Sequence, residues 1–199
     1  MTPDQRRVYD KVVSGPRGVV VGPLRAALHS PKLADSWQQL GAFLRYETSL
    51  PARFSELAIL VTARRWNCQL EWSVHEAAAR KAGLGDPLIE AIRWGRRPAF
   101  DDPDEAGIYE YSRQLQEAGQ VSDEVYQRVR ERWDVVGIVE LTALLGYYAM
   151  VAMTLNAHQI PLPEGAEALL PRLPNDPCQE PVGEELLASN PAGRGSEKD

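Results

Sequence analysis

The sequence predicts an all-α protein, and three observations carry that reading. Helix-start signals recur along the chain, strand signals are nearly absent, and a long apolar stretch, Val135 to Ala157, holds a single charge, Glu140. Thr2-Pro3-Asp4-Gln5 is a capping box with proline at the first helical position, and it opens a helix over 3–13. Ser30-Pro31, Asp86-Pro87 and Asp102-Pro103-Asp104-Glu105 each set a capping side chain before a proline. They open helices over 31–46, 86–95 and 103–118, the last stopped by Gly119. Apolar periodicity adds helices at 23–29, 51–66, 68–83, 122–133 and 135–158, with Gly83 as a further stop. The run Arg17-Gly-Val-Val-Val-Gly22 is the one strand-like piece, and it reads as a packed loop. Glu56-Leu-Ala-Ile-Leu-Val61 is echoed 84 residues later by Glu140-Leu-Thr-Ala-Leu-Leu145, which points to an internal duplication.

At 199 residues the chain supports one substantial core. A net charge of −6 without any basic cluster excludes nucleic acid as a partner. Val135–Ala157 contains two glycines, two threonines, an asparagine and two tyrosines, and no second apolar span accompanies it. It reads as the central helix of a soluble bundle, with no membrane partner. The N-terminus, Met1-Thr-Pro-Asp-Gln-Arg-Arg, lacks an apolar signal region, and the two cysteines lie 110 positions apart. A reducing cytoplasmic setting is expected. Residues 1–163 are expected to form a single domain, and the proline- and glycine-rich stretch 164–199 a flexible tail.

Cys68, Glu71 and His75 carry the chemistry. At i, i+3 and i+7 on a helix their side chains fall within an arc of about 60°. Ala78, Ala79 and Ala82 flank that arc, Val74 and Ala77 continue it, and Gln69, Ser73, Glu76 and Arg80 gather opposite. Glu56 lies on an apolar face of the helix 51–66. One acid beside one histidine is usually a pair that orients a ring. Two acids, a histidine and a thiol on apolar faces are harder to set aside, because burying ionisable groups is costly unless they are used or paired. The spacing lacks the HExxH of a metal site, and His29 and His158 have no place in the set, so no metal is expected. A thiol relay wants a resolving cysteine, and the position a CxxC would fill is Glu71. Trp66, Trp72, Tyr147 and Tyr148 suit either a core or a pocket wall. No phosphate-binding glycine loop and no GxSxG are present, so no cofactor is expected.

Glu56, then Cys68-x-x-Glu71-x-x-x-His75, then Ala82-Gly-Leu84 and Ile89-Glu-Ala-Ile92, resembles the carboxymuconolactone decarboxylase family, which includes the alkyl hydroperoxidase D-like peroxidases. The likeness is strongest over 50–98. It extends from Leu24 through Gly146–Asn156 to Pro161-Leu-Pro163. It implies an all-α bundle of paired helices, of the alkyl hydroperoxidase D-like type, assembled as a homo-oligomer such as a trimer or hexamer. In the hydroperoxidase branch an acid and a histidine relay protons to a CxxC. Glu56, Cys68 and His75 match that pattern, and Glu71 replaces the second cysteine. The decarboxylase branch needs no cofactor. The leading expectation is therefore a cofactor-independent enzyme acting on a small carboxylated or lactone-type substrate by decarboxylation or proton transfer. In it His75 is the general acid/base, Glu71 orients it or shares its proton, and Glu56 is a second carboxylate. Arg64 or Arg53 anchors a substrate carboxylate, and Trp72 and Tyr147 contact the substrate. The alternatives are a hydroperoxidase-like antioxidant protein using Cys68, and a non-catalytic oligomeric ligand-binding protein.

Overall fold

A computed structural model describes residues 1–173. They form eight helices and, among the described residues, no strand. The helices are α1 (Pro3–Ser14), α2 (Pro23–Ala27), α3 (Pro31–Tyr46), α4 (Ala52–Arg65), α5 (Gln69–Lys81), α6 (Asp86–Arg93), α7 (Pro103–Ala118) and α8 (Asp123–Ala157). The capping box opens α1 as read: the Thr2 hydroxyl accepts from the Gln5 amide, and the Gln5 side chain accepts from the Thr2 amide. Asp102 caps α7 by accepting from the Asp104 amide at 2.8 Å. Two caps differ from expectation. Ser30 makes no side-chain capping bond. Asp86 lies inside α6, where Gly85 is the cap, and its carboxylate pairs instead with Arg80. The helices expected at 122–133 and 135–158 are both present within α8, divided by a break at Asp134 (φ 57°, ψ −175°).

The central helix is α4, not the Val135–Ala157 stretch. Every residue from Phe54 to Arg64 is buried, and α4 packs on α5, α7 and α8. The second half of α8 buries one side (Leu141, Leu144, Leu145, Tyr148, Ala152 and Leu155) and leaves Val135, Val136, Val139 and Met153 exposed. By length and composition α8 could cross a membrane, with a mean hydropathy of 1.8 over its most apolar window, half of which is buried. Each fully buried Leu or Ile, such as Leu57, Ile59, Leu60 and Leu141, stabilises the fold by about 1.5–3 kcal/mol. That burial offsets the cost of enclosing Glu56, Glu71 and His75.

The joint between α4 and α5 positions the candidate site. Asn67 adopts a left-handed conformation (φ 49°), which asparagine tolerates better than most residues. The Asn67 amide donates to the Arg64 carbonyl at 3.1 Å, and the Cys68 amide to the Ala63 carbonyl at 2.9 Å, the two bonds of a Schellman ending. The chain then folds α5 back against α4. Its later course matters as well. Between 164 and 173 it is coil, yet Leu170 is buried, and its backbone amide and carbonyl both bond the Gln69 side chain, at 2.9 and 2.8 Å. Packing therefore continues past the domain boundary expected at 163. The rest of the expected tail, including Cys178, lies outside the described residues.

The two acids of the sequence echo have different surroundings. Glu56 is buried against α5, whereas Glu140 accepts from the Ser49 amide and hydroxyl at 2.7 and 2.6 Å.

Candidate active site

The packing of α4 on α5 sets Glu56 Oε2 2.7 Å from His75 Nδ1, with both side chains buried. The ring of His75 stands edge-on to Tyr148 (centroids 4.8 Å apart), and Tyr148 stands edge-on to Tyr147 (5.3 Å). With Nδ1 committed to Glu56, the ring nitrogen left for a ligand is Nε2. One turn earlier on α5 lies Glu71, which is only 3% exposed. Among the described residues, neither of its carboxyl oxygens has a hydrogen-bond partner. Burial pushes the Glu71 carboxyl well above the usual carboxylate range, which favours its protonated form. It does not orient His75; Glu56 does.

Glu71 and His75 line a cavity of about 330 Å³. Its walls come from Leu70 and Val74 of α5; Tyr147, Tyr148, Val151 and Leu155 of α8; Arg45 and Tyr46 of α3; the loop carrying Arg17 and Val19; the start of α2 at Pro23 and Leu24; and Pro163. Burial raises the pKa of both tyrosines, which therefore stay protonated donors across the neutral range. Among the described residues no group of three His, Cys, Asp or Glu side chains could hold a metal ion.

Several expected site residues lie elsewhere. Cys68 is not on the helical arc: it is the N-cap of α5, with extended backbone (φ −84°, ψ 96°). It is buried and lines a different cavity, of about 360 Å³, with Asn67, Gln69 and Asn156. Its thiol is pushed up to about 12, first by burial and then by the charge Glu71 would carry, against backbone bonds from Glu71 and Leu70 that lower it. The reactive thiolate is then a negligible fraction at neutral pH.

Trp72 is fully buried and does not line the cavity. Its indole donates to Glu76 Oε2 at 2.7 Å, and Glu76 also binds Arg80 (2.9 Å) and Arg93. Glu76, expected on the solvent side, is buried because those three donors satisfy it. Val74 and Ala77 are exposed, so the buried stripe runs Glu71, Trp72, His75, Glu76 and Ala79, rotated from the arc read in the sequence. Arg64 donates to the carbonyls of Arg93 (3.2 Å) and Pro171 (3.0 Å) and to Asn67. Arg53 pairs with Asp102 and Glu105. Neither lines the cavity. Its arginines are Arg17 and Arg45, which sequence reasoning missed; no spacing marks them, because they meet only in the folded chain. Of the expected substrate contacts, Tyr147 alone is in the wall.

The fold is that of the AhpD-like all-α proteins. It matches a solved structure from Agrobacterium tumefaciens, a protein described as of unknown function and assigned provisionally to antioxidant defence as AhpD. The TM-score is 0.61 at 17% identity, covering 72% of this chain and 99% of that one. Residues 31–108, which hold Glu56, Cys68, Glu71 and His75, match the model of the carboxymuconolactone decarboxylase family. Among curated proteins no sequence matches this chain.

Proposed function

We propose that this protein is a cofactor-independent enzyme that moves protons within the 330 Å³ cavity, acting on a small carboxylated or lactone-type molecule by decarboxylation or proton transfer. The observation that carries this reading is Glu71. A carboxyl group that is buried and without a partner among the described residues, beside a histidine already oriented by another acid, has no structural role that accounts for its cost. The His75 Nδ1–H donates to Glu56, which leaves the Nε2 lone pair as a base toward the cavity. In proton transfer, Nε2 takes a proton from a carbon beside a carbonyl, and Glu56 stabilises the imidazolium that results. The C–H electron pair moves into the enolate, whose oxygen accepts a hydrogen bond from the Glu71 hydroxyl or a tyrosine. The imidazolium then returns its proton at the product position. In decarboxylation a C–C bond breaks instead, the electron pair remains as the same enolate, and Glu71 protonates the carbon after CO₂ departs.

The thiol chemistry of the hydroperoxidase branch is disfavoured by the position of Cys68. It lies on a separate cavity, its thiol is held protonated, and an acid stands where a partner thiol would be.

The test is CO₂ release and solvent-deuterium exchange over a panel of lactones and keto acids. His75→Ala and Glu71→Gln are each expected to lower turnover by about 10²-fold or more. Turnover that survives both substitutions would overturn the assignment.

A further inference from the structure

Among the described residues, two arginines of the cavity wall, Arg17 and Arg45, have no ion-pair partner. Arg53, Arg80, Arg93 and Arg113 all have carboxylate partners. Arg17 instead bonds the Tyr147 hydroxyl at 3.3 Å, and its Nε is buried without a partner. Arg45 lies over the Tyr46 ring. The one acid in the described wall is Glu71, whose carboxyl is pushed by burial well above the usual carboxylate range. Two fixed positive charges in a cavity walled by valines, leucines and tyrosines attract an anion more strongly than they would in water. The attraction is built in. Gly41 of α3 sits where any Cβ would overlap both the Tyr147 hydroxyl and the Arg17 guanidinium, so the bare helix backbone makes room for the pair.

We infer that Arg17 and Arg45 form an anion clamp, and that the ligand is an amphipathic organic oxyanion whose clamped group is retained through the reaction. The inference that the group is retained rests on the acid–base reading above; the clamp does not. Tyr147 and Tyr148 stand between Arg17 and His75, so the clamped end lies two aromatic rings from the proton-transfer end. A carboxylate paired with guanidinium is stabilised in its ground state, and losing CO₂ would remove that charge from the clamp, which raises the barrier. The clamped group is therefore an anchor. The apolar body lies along Leu70, Val74, Val151 and Leu155, and the reacting carbon reaches Glu71 and His75.

The probes are octanoate, octanesulfonate and the neutral octanamide, titrated calorimetrically into the full-length protein. Octanoate should bind at least about 10-fold more tightly than octanamide, equivalent to about 1.4 kcal/mol, and added salt should weaken only the anion. A sulfonate that binds equally well defines a general oxyanion clamp, and one that does not defines a carboxylate clamp. Arg17→Met with Arg45→Met should abolish the preference for the anion. If the double variant fails to fold, Arg45→Gln alone must narrow the preference. Equal affinity for octanoate and octanamide, or no binding of any probe, overturns the clamp. Anion binding that persists while His75→Ala leaves turnover untouched overturns the acid–base reading alone.

Discussion

Replacing Glu71 by glutamine should change how stability depends on pH far more than it changes the fold. The ordinary carboxyl value is 4.5, and burial raises that of the folded protein well above it. Between those two values the unfolded chain gives up a proton that the folded chain keeps. Stability is therefore greatest below the ordinary value and falls as pH rises, until the folded-state group itself ionises. The slope over that window approaches about 1.4 kcal/mol per pH unit. Glutamine has the same shape and no titrating proton, so that component of the slope disappears. The amide still meets a site without partners, which costs about 1–3 kcal/mol, but this offset is the same at every pH. Urea unfolding of both proteins from acid to mildly alkaline pH, compared as a difference curve, isolates Glu71 from every other titrating group. The curves should diverge steadily above the ordinary carboxyl range, with the wild type losing ground. Parallel curves would mean that the folded carboxyl is not raised, and the role of Glu71 as a proton donor would fall with it.

Gly41→Ala should weaken anion binding and lower the melting temperature, because the overlap with Tyr147 and Arg17 outweighs the roughly 1 kcal/mol that alanine gains in a helix; calorimetry and a thermal melt check this, and an alanine variant equal to wild type in both would refute it. In a Cys178→Ser background Cys68 should react with a thiol reagent only on the timescale of unfolding, given a thiol pushed up to about 12 and fully enclosed; rapid labelling, or rapid oxidation by peroxide, would revive the thiol chemistry. The exposed apolar face of α8 is proposed to meet a second copy of the chain, so Val139→Glu, at a position 60% exposed, should lower the mass seen by light scattering without loss of helicity. A wild-type monomer at micromolar concentration would refute that proposal.

How much of this was legible depended on whether the signal was local. Ser30-Pro31 placed the start of α3, and the two helices meeting at Asp134 were legible from the change in periodicity there. The identity of the central helix was not, because composition reports apolarity but not what covers it. α4 carries Ser55, Glu56, Thr62 and Arg64, which make it read as less apolar than α8. Three of these are satisfied inside the fold: Glu56 bonds His75, the Thr62 hydroxyl donates to the Ala58 carbonyl, and Arg64 donates to carbonyls. The partner of His75 was misread for the same reason. Spacing favours Glu71 at i, i+4, but the acid that reaches the ring is Glu56, 19 positions away on the neighbouring helix. Apolar periodicity leaves Asn67 between two helices and starts the second at Cys68, one residue too early. The left-handed conformation of Asn67 ends α4 and turns Cys68 into a cap.

The division of the cavity between chain segments explains why the family alone does not name a substrate. Glu56, Glu71 and His75 lie within residues 31–108, so the segment that matches the family model holds the proposed acid–base pair. Arg45 is also within it, but Arg17 and Val19 precede it, and Tyr147, Tyr148, Val151 and Leu155 follow it. Those residues supply half the clamp, the aromatic spacer and much of the apolar wall. Proton-transfer machinery can thus stay fixed on α4 and α5 while the loop before α2 and the second half of α8 change the length and polarity of the ligand accepted. Exchanging Arg17 or Tyr147 should consequently alter which acids bind while leaving the Glu56–His75 geometry intact, and the histidine pH profile measured with each ligand separates the two effects: a profile that shifts on Arg17→Met would show that clamp and acid–base pair form one electrostatic unit rather than two.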